Sequence, residues 1–374
     1  MKVLTVLGTR PEIIRLSRVI SKLDTYTKHI LVHTGQNYDY ELNKIFFEDL
    51  EIRKPDYFLD AAGGNVATTI GNIISKIDEV LEKEQPDALL VLGDTNSSLS
   101  VISAKRRKIP VFHMEAGNRC YDQQVPEEIN RKIVDHTADI NMPYSDIARE
   151  YLLKEGFPAD QIITTGSPMY EVLEYYKDKI NTSDILTKLN LQEGKYFVVS
   201  THREENVDSS ERLMKIAEIL KELCQKFKMP VILSTHPRTK KRLDEYQIQL
   251  PELVQSLKPF SFTDYIQLQL KSFCVISDSG TITEEAAILN FPAINMRDVH
   301  ERPEGMEEAI AIMTGLSSQR ILEAIPVTID TVKNGMRTTG PVFNYTSPGV
   351  SDKVIKIILS YTDFVKRKVW HDYN

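Results

Sequence analysis

Two stretches carry most of the chemistry legible in this chain: Ser277-Asp-Ser-Gly-Thr-Ile-Thr-Glu-Glu285 and His300-Glu-Arg-Pro-Glu304. The first reads as an apolar strand at 273–276, broken by a Ser-Gly turn and followed by a helix with acids in its first turns. Such a turn presents free backbone N–H groups at the positive end of a helix dipole, which suits a phosphate. Carboxylates one to two turns further on can accept hydrogen bonds from ribose hydroxyls. Arg302, on a following loop, can reach the same anion. Together these residues predict a nucleotide diphosphate at the carboxyl edge of a parallel sheet in the second half of the chain.

A second group of polar residues follows strand-like runs in the first half. Gly8-Thr-Arg-Pro-Glu12 places Pro11 at a helix start, Arg10 at the strand's mouth and Arg15 further along the same helix. Asp94, Glu115 and Glu127 each follow or face a strand end. Asp94, before Thr95-Asn-Ser, also reads as a helix cap, and Glu127 with Glu128 as acids complementing a helix dipole. Glu115 is harder to explain so, because it directly follows the apolar run 111–114, where a charge is costly unless paired or used. Gathered in one place, the three acids suit proton transfer to and from carbon. His202 ends a buried run within Thr201-His-Arg-Glu-Glu-Asn206, where an imidazole can neutralise or protonate a departing diphosphate; His236 carries a weaker version of that argument. His33 and His113 read as strand histidines with core partners. No His/Cys/Asp grouping has metal-ligand spacing, and neither a GxGxxG nor a Walker fingerprint occurs, so no metal, nicotinamide or ATP is expected.

The elements that must position these groups alternate. Short apolar runs at 3–7, 29–33, 88–92, 111–114, 197–200, 231–234, 254–257 and 273–276 are separated by helix-period stretches. Ile70, Ile73, Ile74, Ile77, Val80 and Leu81 follow one helical face; Leu213, Ile216, Leu220 and Leu223 follow another behind an Asp208-x-x-Glu211 capping box. Alternation of this kind predicts an α/β architecture with parallel sheets. With 374 residues two domains are expected, and the polar stretch 177–195 reads as their boundary. A final helix from near Ser351 is expected to bury Ile355, Ile358 and Leu359. The net charge of −7 argues against general nucleic-acid binding. Cys120, Cys224 and Cys274 are isolated, which fits a reducing cytosol. The amino terminus runs straight into a strand, and no apolar run approaches the length of a membrane span.

Taken in order, Gly8-Thr-Arg-Pro-Glu12, Thr34-Gly-Gln36, Gly93-Asp-Thr95, Glu115-Ala-Gly117, Pro126-Glu-Glu-x-Asn-Arg131, His202-Arg203, Asp278-Ser-Gly280, Glu284-Glu285 and Glu301-Arg-Pro-Glu304 span nearly the whole chain. This set resembles the non-hydrolysing UDP-N-acetylglucosamine 2-epimerase family. The resemblance implies a GT-B-like α/β fold: two Rossmann-like, doubly wound parallel-sheet domains facing across a cleft. It implies a first domain over 1–180, completed by a helix at 351–374 and holding sugar and catalytic acids, and a second over 181–350 binding UDP. Carried over by position, the catalytic group falls on Asp94, Glu115, Glu127 and His202, and substrate or UDP contacts fall on Arg10, Arg15, Ser279, Gly280, Glu285 and Arg302. The expected ligand is a UDP-sugar, with no metal or cofactor and no nucleic-acid or membrane partner. The expected form is a cytoplasmic homodimer.

Departures from the family's usual pattern point to the sugar. Arg15 stands where lysine is common, Asn96-Ser where Thr-Thr is usual, Asn118-Arg where Leu-Arg is usual, and Glu204 where a second arginine is usual. Thr34-Gly-Gln continues as Asn37-Tyr-Asp-Tyr, not the sequence that helps bind a second, activating UDP-N-acetylglucosamine. The variant pattern is similar to the branch that forms UDP-N-acetyl-L-fucosamine from UDP-2-acetamido-2,6-dideoxy-β-L-talose for capsule or O-antigen synthesis. An ordinary UDP-N-acetylglucosamine 2-epimerase is the nearest alternative, and a GT-B glycosyltransferase a more distant one.

Overall fold

A computed structural model describes the protein at all residues except 36–39, 124, 202, 236, 334 and 373–374; the side chains at 40–43, 204–205 and 333 also lie outside the description. The apolar runs form two parallel sheets. The first contains β1 (Lys2–Leu7), β2 (Lys28–His33), β3 (Tyr57–Phe58), β4 (Ala88–Leu92), β5 (Val111–Met114) and β6 (Ile140–Met142), in the order β3-β2-β1-β4-β5-β6. The second contains β7 (Phe197–Thr201), β8 (Val231–Thr235), β9 (Val254–Leu257), β10 (Cys274–Ser277), β11 (Ala293–Asn295) and β12 (Ile312–Met313), in the order β12-β11-β10-β7-β8-β9. Both sheets therefore wind outward from their first strand, then return to its other side. The reversal falls between β1 and β4 in one sheet and between β7 and β10 in the other, where doubly wound folds place ligands. The fold is GT-B-like: two Rossmann-like parallel sheets with flanking helices.

Central strands such as β4, Ala-Leu-Leu-Val-Leu, are buried along their whole length because helices cover both faces. β3, β6, β11 and β12 are only two or three residues long and show no period of their own, so the sequence alone does not reveal them.

By contacts the chain divides into two compact units: Met1–Tyr175 together with the chain from Phe343 onward, and Tyr176–Val342. Each has its own core. Val6, Val32, Ile73, Ile77, Leu89 and Val91 belong to the first; Phe197, Val199, Leu213, Ile216, Leu220, Ile276 and Ile294 belong to the second.

Two local expectations are corrected. The helix Ser210–Phe227 is capped by Ser209, whose side chain accepts from the Arg212 N–H, one residue later than the expected box. Asp208 instead pairs with Arg238 and Arg242, so its carboxylate is taken by side chains. The last helix, Val350–Trp370, buries Val354, Ile355 and Ile358 but leaves Leu359 45% exposed. Leu359 lies about 100° around the helix from Ile358, beyond the buried stripe. Among the described residues no helix is long and apolar enough to cross a membrane.

Candidate active site

In the first unit the polar residues follow three adjacent strands, β1, β4 and β5, at their carboxyl ends. Arg10 opens the helix Arg10–Tyr26, with Pro11 in its first turn and the guanidinium 5.7 Å from the Phe46 ring centre. Glu12, one residue beyond Pro11, is almost fully buried. Its Oε2 accepts from the Gly8 N–H at 3.0 Å and from the Thr9 hydroxyl at 2.7 Å, and its Oε1 accepts from the Thr95 hydroxyl at 3.1 Å. Glu12 thus ties the loop after β1 to the loop after β4. Burial pushes its carboxyl up to about 7, against the pull of those hydrogen bonds.

Glu115 follows β5 directly and adopts a left-handed backbone at φ 64°, a conformation an L-residue takes only when its surroundings enforce it. Gly117 repeats the left-handed turn at φ 80°, and a side chain there would begin 2.4 Å from the Ala148 carbonyl oxygen. These two residues curl the chain back, so that Asn118 Nδ2 donates to Glu115 Oε1 at 3.2 Å. Arg15, buried on the helix after β1, forms an ion pair with Glu115 Oε2, and its guanidinium carbon lies 5.8 Å from the Tyr144 ring centre.

Asp94, after β4, is held by another guanidinium: Arg131 Nε donates to Asp94 Oδ2 at 2.7 Å. Arg131 also donates to Glu128 Oε2 at 3.0 Å, and Asn130 Nδ2 donates to the Asp94 carbonyl at 2.9 Å. The cap at this point is Thr95, whose hydroxyl accepts from the Ser97 N–H; Asp94 is therefore left to pair with Arg131. Glu127 is partly buried in the first turn of the helix Pro126–Thr137, one helical turn before Arg131. The structure brings Glu115 to Arg15 and Asp94 to Arg131, while Glu127 opens the helix that supplies Arg131.

Behind Glu115 lies a charged network buried at Arg119, Asp135 and His113 and reaching the surface at Glu155. Arg119 binds both Glu155 oxygens at 2.7 and 2.6 Å, and its Nη1 is 2.7 Å from Asp135 Oδ2. Asp135 also accepts from the Gly117 N–H at 3.2 Å. His113 Nε2 contacts the Gly93 carbonyl at 2.9 Å; its Nδ1 lies 2.9 Å from Asp135 Oδ1, off the line of a hydrogen bond. Burial alone would raise the Asp135 carboxyl, yet His113 and Arg119 hold it below the ordinary carboxylate range. The expected strand role of His33 is also met: it stacks on Phe58 at 5.0 Å, and burial pushes it down to about 4, leaving it neutral.

In the second unit, β10 leads into the turn Asp278-Ser279-Gly280, after which the helix Thr281–Leu289 begins. The Ser279 hydroxyl lies 3.0 Å from that of Thr281 and accepts from the Thr281 N–H at 3.3 Å. A side chain at Gly280 would begin 3.0 Å from Glu301 Oε2 and 3.5 Å from Arg297 Nη1. Glu301 joins Arg203 at 2.9 Å to Arg297 at 3.0 Å, which gathers cations beside this helix start. Arg302 is buried, with Nε 4.0 Å from Glu284 Oε2. Glu285 is buried and accepts from Gln269 Nε2 at 2.8 Å. Asp278 is fully buried and accepts from the Thr201 hydroxyl at 2.9 Å, the Arg203 N–H at 3.2 Å and Asn206 Nδ2 at 2.9 Å, joining the ends of β7 and β10. His202 and His236 lie outside the described residues. Among the described residues no group of three or more His, Cys, Asp or Glu side chains is arranged to hold a metal ion.

Sequence reasoning assigned no role to Glu12, Asn118, Arg131, Asp135 or Asp278. Glu12 had a signal: by helical spacing it shares a face with Leu16 and Val19, where a charge is costly unless it is paired or used. Asn118 depends on the left-handed turn at Glu115, and Arg131, Asp135 and Asp278 depend on partners distant in sequence.

Comparison with known proteins agrees with this fold. The family described as UDP-N-acetylglucosamine 2-epimerase matches residues 21–359. A UDP-2,3-diacetamido-2,3-dideoxy-D-glucuronate 2-epimerase of Pseudomonas aeruginosa is 36% identical over 87% of this chain and 91% of its own. A solved UDP-N-acetylglucosamine 2-epimerase from Rickettsia bellii superposes with a TM-score of 0.93 at 53% identity, covering 100% of both chains. The Methanocaldococcus jannaschii UDP-GlcNAc 2-epimerase, solved in complex with UDP-GlcNAc and UDP, superposes with a TM-score of 0.88 at 34% identity, covering 96% of this chain and 100% of that one. The chain belongs to the UDP-N-acetylglucosamine 2-epimerase family and is an isomerase of the UDP-sugar 2-epimerase type.

Proposed function

We propose that this enzyme inverts C-2 of a UDP-2-acetamido sugar by eliminating UDP and adding it back. The supporting observation is the pair of acids after adjoining strands, Glu115 against Arg15 and Asp94 against Arg131. The C-2 hydrogen of such a sugar is not acidic, because no carbonyl conjugates with that carbon. Elimination avoids a free carbanion. A carboxylate takes the C-2 proton, the electron pair forms the C-1=C-2 bond, and the C-1–O bond breaks with its electrons staying on UDP. Re-addition of UDP at C-1, with a proton delivered to the opposite face of C-2, completes the inversion.

In this reading Asp94, Glu115 and Glu127 share the proton transfers. His202 assists the departing diphosphate, and Arg10 and Arg302 clamp it, since guanidinium matches phosphate oxygens bidentately. Ser279 and Gly280 offer a helix start to the phosphates, and Glu285 accepts from the ribose. The Asn118-Arg119 pair and the sequence at 33–42 support UDP-2-acetamido-2,6-dideoxy-β-L-talose as substrate and UDP-N-acetyl-β-L-fucosamine as product. On the same resemblance the working form is a cytoplasmic homodimer, and the product serves capsule or O-antigen synthesis. A second reading, conversion of UDP-N-acetylglucosamine to UDP-N-acetylmannosamine, is favoured by the names of the Rickettsia and Methanocaldococcus proteins. Incubation with each UDP-sugar separately, read by NMR, separates the two. Turnover of the L-talose compound alone supports the first; turnover of UDP-N-acetylglucosamine alone replaces it with the second; turnover of neither refutes both.

A further inference from the structure

We propose that Asn118, together with Arg15, is a positioning residue that keeps Glu115 ionised and turned to accept the C-2 proton, making Glu115 the base in one direction of the reaction. The inference rests on the epimerase reading above and assigns a role that reading leaves open.

Glu115 and Gly117 both take left-handed conformations, and Gly117 sits against the Ala148 carbonyl where no side chain fits. The turn is held further by the Gly117 N–H donating to the buried Asp135. The Glu115 N–H donates to the Met142 carbonyl at 3.1 Å, and the Arg119 Nη1 donates to the Asn118 carbonyl at 2.7 Å. Both ends of the turn are therefore fixed, and the buried Asn118 amide is delivered to Glu115 Oε1. The other oxygen, Oε2, receives Arg15 from a different element, the helix after β1.

Each Glu115 oxygen thus has its own donor, one of them cationic. Donors aimed at a carboxylate favour its charged form and disfavour the protonated one. Among the described residues, charged and titratable groups on the surrounding elements are Arg15 on the helix after β1, Asp94 after β4 with its partner Arg131, His113 on β5 with its partner Asp135, and Tyr144 after β6 beside Arg15. Asp94 has an arginine but is more open, at 20% side-chain exposure against 8% for Glu115.

In the chemical step the C-2–H bond breaks and its proton passes to Glu115. The bonding pair forms C-1=C-2, and UDP leaves with the C-1–O pair. Arg15 and Asn118 then oppose retention of that proton, which Glu115 gives up to solvent. Asp94 or Glu127 supplies the proton to the other face of C-2 as UDP adds back.

The test is the pH profile of kcat for the wild type, Asn118→Leu and Asn118→Asp, with thermal melting as a check on folding. Leucine removes one donor to the carboxylate, and aspartate sets a second carboxyl against it. Both raise the pH at which Glu115 becomes ionised, so the acid limb should move upward, by roughly half a unit to one unit for Leu and by more than about one unit for Asp. KM should stay within about threefold in both, the pattern of a group acting in the chemical step. A merely structural role would lower kcat or melting temperature and leave the limb in place. An unmoved limb in a folded variant, or one displaced to lower pH, overturns the assignment. If the Leu variant does not fold, the Asp variant, of the same size, decides alone. Wild-type enzyme that turns over no UDP-sugar brings down the epimerase reading and this inference together; wild-type turnover with an unmoved limb removes only the Asn118–Glu115 assignment.

Discussion

Replacing Glu12 by glutamine should remove a pH dependence from the stability of the first unit. Glu12 is buried beneath the loops after β1 and β4, and burial lifts its carboxyl from 4.5 to about 7. Between these values the folded chain keeps a proton that the unfolded chain has already released. Stability contributed at Glu12 therefore falls as pH rises through that window and levels off above it. At about 1.4 kcal/mol per unit, the shift corresponds to about 3 kcal/mol over the full window. Glutamine has the same shape and no charge to release. Its oxygen can accept from Gly8 and Thr9, while its amide meets a Thr95 hydroxyl able to turn and accept. Glu12→Gln should thus gain about 2 to 3 kcal/mol on the wild type between pH 5 and pH 8. Native-state hydrogen exchange of the slowest amides in β1 and β4, compared between the proteins at each pH, reads this without assuming that both units unfold together. A stability difference that is the same at both pH values, or that shrinks as pH rises, refutes the reasoning.

Three further outcomes follow from the same geometry. Asp135→Asn keeps the acceptor for Gly117 but leaves Arg119 with less of its buried charge balanced; the loss should be about 3 to 5 kcal/mol, and an unchanged melting temperature would contradict it. Gly280→Ala pushes on Glu301 beside the helix start and should weaken UDP binding about tenfold in calorimetry, a loss of about 1.4 kcal/mol, with melting nearly unchanged; undiminished affinity would place the phosphates elsewhere. Glu127→Gln should still bind UDP but lose turnover by roughly 10²-fold or more, and near-wild-type turnover would remove Glu127 from the proton transfers.

How much was legible in the sequence depended on how local the signal was. Eight of the strands announce themselves as apolar runs between helical faces, and Glu115 announces itself as a charge set directly after one. Three of the four edge strands, β3, β6 and β12, and the inner β11 are too brief for any period to show. Asp94 was legible as a loop acid, yet its partner Arg131 arrives from the helix after the next strand, 37 residues on, and no spacing rule joins them. Arg15 and Asn118 each stood out as departures from a pattern. That both reach one carboxylate depends on the left-handed turn at Glu115 and on β1, β4 and β5 lying side by side. The capping residue of Ser210–Phe227 shows the limit at short range: Asp208 and Ser209 are both good caps, and the arginines that claim Asp208 come from another helix.

The most direct test of the account is the reaction run in deuterated water with the UDP-sugar that turns over. Proton removal and return at C-2 predicts product carrying one deuterium at that carbon, with the label also entering recovered substrate as the reaction reverses. Inverted product whose C-2 retains its original hydrogen would contradict the proposed mechanism.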